Sequence, residues 1–346
     1  MATIKDVAEL AGVSTATVSH VLNQTRFVAS STCERVWAAM QTLNYAPSAV
    51  ARSLKVQATN TIGMLVTSST NPFFAEVVRG VERYCLSQGY SLILCNTEGD
   101  TETARACLQM LIRKRIDGLL LLCTDTHTDL TGLLQQHEDL PLVIMDWGPA
   151  TPHSDRIQDN SLRGGWLATR HLLELGHTAI ACITGPHFKQ PAQARLVGYH
   201  QAMQEAGCTV DPGWIVEGNF DCQSGWQAMQ HLLRLPNRPT AVLACNDLMA
   251  MGVLRAAAEA GLRVPADLSV IGYDNIPFAQ WLTPSLSSIN QPKESLGELA
   301  VQTLLERIHD PAQPGRSLLL EPNLVAREST AAPGAAIVLT PTHTAS

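Results

Sequence analysis

From Thr61 onward the chain alternates short, unbroken apolar runs with amphipathic stretches of helical period. That alternation narrows the possible folds more than any other feature. The runs cover 62–66, 92–95, 119–123, 142–145, 179–183, 241–245 and 269–272. They are apolar at consecutive rather than alternate positions, the pattern of parallel strands covered by helices on both faces. The stretch after the first run shows what lies between them. Asn71 can cap a helix, Pro72 suits its first turn, Phe74, Val78, Val81 and Cys85 recur at helical spacing, and Gly89 ends it. The order strand, loop, helix, glycine returns between residue 179 and Gly207. The expectation is an α/β core of two doubly wound parallel-sheet lobes facing each other across a cleft.

Composition excludes several alternatives. The 346 residues are 45% hydrophobic and 16% charged, enough to bury sizeable cores. No apolar run reaches the roughly 18 residues that a membrane helix needs. Residues 1–6 contain no apolar stretch of the kind that directs secretion, so a cytoplasmic location is expected. Nine cysteines, an odd number with no C-x-x-C pair, argue against a disulfide framework or a zinc site. The eleven histidines do not cluster at ligand spacing, so no bound metal is expected. The phosphate-loop, dinucleotide, nucleophile-elbow and zinc-protease motifs are all missing. Asp146 and Asp274 could form a carboxylate pair, but nothing supplies a nucleophile or acid to work with them. The sequence therefore predicts no catalytic residues, no cofactor and no enzyme.

The first 45 residues follow a different rule. Ile4, Val7, Ala8 and Ala11 fall at helical spacing, Gly12 marks a tight turn, and Ser14 can cap a second helix with Val18, Val21 and Leu22 on its inner face. A third helix is expected from Ser31, with Glu34 at capping-box spacing and Val36, Met40 and Leu43 inside. Pro47 blocks its continuation. The second helix would expose Thr15, Ala16, Thr17, Ser19 and His20, small polar or methyl-bearing groups that suit base edges in a major groove. Residues 1–58 carry a net charge of +2 on a chain of net −7, so the remainder carries −9. A cationic head on an acidic body points any nucleic acid to the head.

The head resembles that of the lactose/galactose-repressor family of bacterial transcription regulators, and the resemblance extends over residues 1–330. It implies an N-terminal all-α helix-turn-helix domain at 1–46, a hinge helix and linker at 47–58, a periplasmic-binding-protein-like core at 59–330 and a disordered tail at 331–346. It also implies a homodimer that binds palindromic double-stranded operator DNA. Carried over residue by residue, Thr15, Ala16, Thr17 and His20 take the recognition-helix positions and Arg26 the arm position. Val50, Ala51, Leu54 and Lys55 fall in the hinge helix, with Leu54 at the position of the leucine that wedges into the minor groove.

Within the core, the resemblance is to family members and periplasmic proteins that take ribose. It rests on Asn71-Pro72-Phe73-Phe74, Met145-Asp146-Trp147, Asn246-Asp247, Gly272-Tyr273-Asp274 and Asn290-Gln291-Pro292, together with Arg195. The ligand positions it implies are Asn71, Phe73, Phe74, Asp146, Arg195, Phe220, Asn246, Asp274 and Gln291. Independently, these amides, carboxylates and guanidinium suit hydroxyls that donate and accept at once, and the three phenylalanines suit the C–H faces of a sugar ring. A purine-responsive branch of the family uses an arginine and a threonine shortly before the Arg195 position to hold a nucleobase. Here those positions are Lys189 and Pro191. Trp147 replaces an arginine of the ribose pattern, which leaves the exact sugar open. The expected effector is D-ribose, with a nucleobase corepressor as the alternative. A sugar-transport protein or a sugar enzyme is a more distant one, lacking a signal peptide in the first case and a nucleophile in the second.

Overall fold

The computed structural model describes residues 2–23, 25–45, 58–122, 130–145 and 154–334. The chain divides into two compact units, Met1–Thr59 and Asn60–Ser346. The hinge positions Val50, Ala51, Leu54 and Lys55, the cleft position Asp146, and residues 335–346 lie outside the described residues.

Among its described residues the first unit holds three helices, α1 (Ile4–Ala11), α2 (Thr15–Asn23) and α3 (Ser30–Thr42). Thr3 and Asp6 make a reciprocal capping box at the start of α1, and Gly12 closes the helix with a left-handed φ of 62°. Ser14 caps α2 by accepting from the Thr17 amide at 3.1 Å. Val7, Ala8, Ala11, Val18, Val21, Val36, Ala39 and Met40 form the core, with Leu22 and Leu43 packed at its edge. One expectation fails. The capping box at Ser31 and Glu34 does not form, because α3 begins one residue earlier with Ala29 as its uncapped N-terminal flank. Ser31 is then inside the first turn, where its hydroxyl cannot serve as the cap.

The second unit is built from two sheets. Strands β1 (Thr61–Val66), β2 (Ser91–Asn96), β3 (Gly118–Leu122), β4 (Leu142–Met145), β5 (Asp155–Asp159) and β11 (Ser317–Leu320) lie in the order β11-β5-β4-β3-β1-β2. All neighbours are parallel. Strands β6 (Ile180–Thr184), β7 (Ile215–Glu217), β8 (Ala241–Ala244), β9 (Ser269–Asp274), β10 (Ser287–Asn290) and β12 (Asn323–Val325) repeat the plan as β12-β10-β9-β8-β6-β7. Here β12 alone runs antiparallel to its neighbour.

The first lobe carries α4 (Pro72–Ser87), α5 (Thr101–Arg113), α6 (Thr131–Gln135) and α11 (Lys293–His309). The second carries α7 (Ser161–Glu174), α8 (Gln190–Glu205), α9 (Cys222–Leu232) and α10 (Asp247–Glu259). Helix pairs meet through glycines. A Cβ on Gly80 of α4 would lie 2.4 Å from the Glu294 carbonyl oxygen of α11, and one on Gly165 of α7 would lie 2.1 Å from that of Arg195 on α8. The chain crosses between lobes three times, from β5 to α7, from β10 to α11 and from β11 to β12. β9 ends on Asp274, β10 is followed by Gln291, β8 by Cys245 and Asn246, and β1 by a four-residue loop that leads to Asn71. In open α/β sheets the carboxyl end of the strands is the end at which ligands bind.

The strands expected from apolar runs all form. Five others, β5, β7, β10, β11 and β12, are too polar or too short to be seen that way. Within α4 the inward position is Val77 rather than Val78, which is only half-buried. The tail also departs from expectation at its start. Ala331 donates its amide to Ser269 Oγ at 3.1 Å, and its carbonyl accepts from that hydroxyl at 3.1 Å and from His177 Nε2 at 2.8 Å, so the chain stays pinned past Thr330.

Candidate functional site

On the head, Thr15 and Ala16 are exposed at the start of α2, Thr17 and His20 are half-buried, and Arg26 is exposed in the loop that follows. Thr17 Oγ1 lies 2.9 Å from Ser14 Oγ, and His20 Nδ1 lies 2.7 Å from Thr25 Oγ1. These contacts set the two side chains against the α2 surface. Thr17, His20, Arg26 and Arg35 line one recess of about 530 Å³ together with Phe27, whose ring is 96% exposed. An exposed phenylalanine between cations is an unusual surface for water and a suitable one for a polyanion with apolar sugar edges. Sequence reasoning missed Phe27, although its place directly after Arg26 was visible.

In the core, Arg195 rises from the first turns of α8 into the second lobe and is buried. Its guanidinium lies 3.7 Å over the Tyr273 ring, and Nη1 donates to the Cys245 carbonyl at 2.6 Å. Its Nε is buried and, among the described residues, has no hydrogen-bond partner. Burial works against the charge. The negative surroundings of Tyr273, Asp274 and Asp159 outweigh it and hold the guanidinium protonated more firmly than usual.

Asp274 ends β9 and is also buried, with one oxygen accepting from Gln291 Nε2 at 2.7 Å. Burial pushes its carboxyl up to about 6, against the pull of Arg195, Lys293 and the Gln291 hydrogen bond. Asp274 and Asn275 have left-handed φ values of 103° and 51°. Two such residues in succession without glycine are a strained arrangement of the kind found at binding sites.

The remaining positions divide. Asn246 caps α10 through the Met249 amide at 2.8 Å and donates to the Phe220 carbonyl at 2.9 Å, so it tethers the Phe220 loop to the helix. Phe220 packs on Gly185, where a Cβ would come within 2.0 Å of its ring. Asn71 caps α4 through the Phe73 amide at 3.0 Å, and Phe73 and Phe74 sit edge to face, both mostly buried in the first lobe's core. The structure thus brings Arg195, Asp274 and Gln291 into one buried polar cluster. It gives Asn71 and Asn246 helix-capping duties in the first and second lobes respectively.

Behind the cluster stand residues that sequence reasoning did not single out. Tyr273 donates to Asp159 at 2.9 Å, and Ser161 donates to the same carboxylate. Asp247 accepts from Ser288 Oγ and from the Ile276 amide, both at 2.7 Å, and so braces the turn after Asp274. Burial, with the nearby Asp274 charge, pushes Asp247 up to about 8. Asp247 and Tyr273 were present in the strings that carry the resemblance, but only the fold shows what they touch.

Among the described residues no group of His, Cys, Asp and Glu side chains is placed to hold a metal ion. No helix among them is long and apolar enough to cross a membrane.

A three-helix head with a glycine turn, joined in sequence to a two-lobed core with polar groups at the carboxyl ends of its strands, defines a transcription regulator with an effector-binding core. Comparison with known proteins agrees. Residues 3–48 match the model of bacterial regulatory proteins of the lacI family, and residues 169–330 match the periplasmic binding protein-like domain. The chain is 54% identical over 329 residues to the HTH-type transcriptional repressor PurR of Photobacterium profundum, covering 95% of this chain and 98% of that protein. It is also 54% identical over 329 residues to the ribose operon repressor of Escherichia coli (strain K12), covering 95% and 100%. A solved lac repressor dimer bound to operator and the anti-inducer ONPF superposes with a TM-score of 0.87 at 33% identity, over 96% of this chain and 99% of that one. The chain belongs to the lacI family.

Proposed function

We propose that this protein is a dimeric repressor of transcription that holds a palindromic operator through its head and is released when ribose binds between the core lobes. The observation that carries the effector assignment is a buried, partly unsatisfied Arg195 guanidinium within electrostatic reach of the buried Asp274 carboxylate, which itself accepts from the Gln291 amide. Donors and an acceptor so close together suit a ligand whose every hydroxyl can do both. Phe220, anchored on Gly185, supplies an apolar face in the same lobe.

A nucleobase corepressor is the second reading, favoured by equally high identity to repressors named for purines. Against it stands Pro191, buried in the first turn of α8 with neither a hydroxyl nor an amide hydrogen to offer a base. Lys189 lies with Nζ 5.8 Å from the Phe220 ring centroid, over the ring rather than in a planar fork. Thr15, Ala16, Thr17, His20 and Arg26 would read the operator, with Val50, Ala51, Leu54 and Lys55 of the hinge. Asp146 would complete the cleft from the first lobe.

The two readings differ in sign. Operator affinity of the full chain, measured alone, with ribose and with hypoxanthine, should fall about tenfold or more with ribose. Tightening by hypoxanthine with no response to ribose would replace the sugar with the purine.

A further inference from the structure

Lys293 is the first residue of α11 and belongs to the first lobe by chain, yet its ammonium holds a turn of the second. Nζ donates to the carbonyl oxygens of Asp274 at 2.6 Å, Asn275 at 3.0 Å and Gln291 at 3.4 Å. Its counter-charge, Glu76 of α4, is 3.3 Å away in the first lobe. The two side chains are only 6% and 17% exposed, so their attraction is poorly screened and sensitive to small changes in separation. The position is otherwise a poor one for lysine, because a cation at a helix start meets the positive end of the dipole. With the ammonium's donors directed at carbonyls, Glu76 Oε2 is left buried without a hydrogen bond among the described residues.

What the ammonium holds is the left-handed pair at 274 and 275, whose two successive carbonyls converge on it. That turn sets the direction of the Asp274 carboxylate. On the other side, Glu76 lies one turn into the helix that starts after Asn71 and carries Phe73 and Phe74. One buried charge therefore connects the turn that presents Asp274 to the helix that closes the first lobe's side of the cleft.

We propose that Lys293 and Glu76 form a buried charge latch between the lobes, through which the conformation of the turn at 274–275 sets the position of α4 and filling of the cleft changes the lobe arrangement. Both are positioning residues and neither touches the effector. A ligand that engages Asp274 and Gln291 fixes the turn, and the ammonium goes with its carbonyls. The four-carbon stem is anchored at the start of α11, so a change in lobe angle makes the ammonium give up either the turn or Glu76. Such a two-way choice converts a small displacement into a switch between discrete states. The latch takes its regulatory meaning from the effector reading above, but one arm of its test needs no effector.

The test uses the full chain with Glu76→Gln and, separately, Lys293→Met. Amide exchange at Asn275 and Ile276 in the ligand-free protein should quicken about tenfold or more in Lys293→Met, and measurably in Glu76→Gln. For Glu76→Gln, calorimetric ribose affinity and operator affinity without ribose should stay within about threefold of wild type. The ratio of operator affinities without and with ribose should collapse about tenfold toward unity. An intact ratio in a folded Glu76→Gln protein overturns the latch, as do wild-type exchange rates at 275 and 276 in Lys293→Met. If the wild-type protein ignores ribose and answers hypoxanthine, the effector reading fails on its own. The latch is then judged by the exchange arm and by the same ratio taken with hypoxanthine.

Discussion

The sheet order of the first lobe, β11-β5-β4-β3-β1-β2, and that of the second, β12-β10-β9-β8-β6-β7, are one plan used twice, yet a buried charge network on each sheet sits at the opposite strand end from the other. In the first lobe Asp155 opens β5 and accepts from Arg307 at 2.7 Å and Arg316 at 3.0 Å, at the amino end of its strand. Burial raises that carboxyl, but the two guanidiniums outweigh it and hold it below the usual carboxylate range. In the second lobe Asp274 closes β9 and faces Arg195 and Gln291 at the carboxyl end. The first network is complete, since both oxygens of Asp155 are paired in an ion cluster. The second keeps an Arg195 Nε without a partner among the described residues and a carboxyl pushed up to about 6. A closed ion network braces a fold, whereas an open one at the ligand end of a sheet awaits a partner.

The largest effect that would test this division is in the bracing network. Arg307→Leu leaves Asp155 buried with only the half-exposed Arg316 and should cost about 3–5 kcal/mol of stability, read by urea unfolding. Ribose affinity of the folded fraction should not change. If it does, the two ends of the lobes are not separate in function.

Asp274→Ala should cost about 2–5 kcal/mol of ribose affinity by calorimetry, much of it from leaving the Gln291 amide without its partner and Arg195 without a nearby counter-charge. The variant should still repress and no longer respond. A response of wild-type size would show that the second lobe's charges do not read the effector.

A smaller effect concerns pH. Burial raises Asp247 to about 8, so the folded protein keeps a proton that the unfolded chain releases near the ordinary carboxylate value. The folded state is therefore favoured at low pH, and this contribution is lost as pH rises toward 8. Stability should fall by about 2 kcal/mol between pH 6 and pH 8 in the wild type and stay flatter in Asp247→Asn. Equal slopes in the two proteins would show that Asp247 is ionised throughout.

Phe74→Leu keeps an apolar, though smaller, side chain in the first lobe but removes the ring, and should cost less than about 1.5 kcal/mol of ribose affinity. A loss as large as that of Asp274→Ala would make the first lobe an equal reader of the ligand. The head serves as the outside control. Thr17→Ala should weaken operator discrimination by about 1 kcal/mol in competition between base variants, with unchanged calorimetry against ribose.

Much of the plan was legible in the residues. Gly12, Ser14, Asn71 and Gly89 announced helix ends because each acts on backbone within a few positions of itself. The seven apolar runs announced strands because full burial on both faces leaves no room for alternation. The polar strands were not legible. In β5 the residues Asp155, Ile157 and Asp159 are buried and their neighbours are not, and the two aspartates are tolerated only because Arg307, Arg316, Tyr273 and Ser161 meet them. In β10 two buried serines do the same work through Asp247, Thr330 and the Arg327 amide.

What the sequence by itself determined, then, is whatever depends on neighbours along the chain: helix caps, turn glycines, the period of each apolar stretch and the small exposed side chains of α2. The tertiary structure alone decided which buried polar groups find partners. Arg307 and Asp155 are 152 residues apart, Tyr273 and Asp159 are 114 apart, and Lys293 meets Glu76 only after the chain has crossed between lobes twice. A polar side chain can be buried only where a partner offsets its lost hydration, and that partner is supplied by the packing of distant segments rather than by anything local.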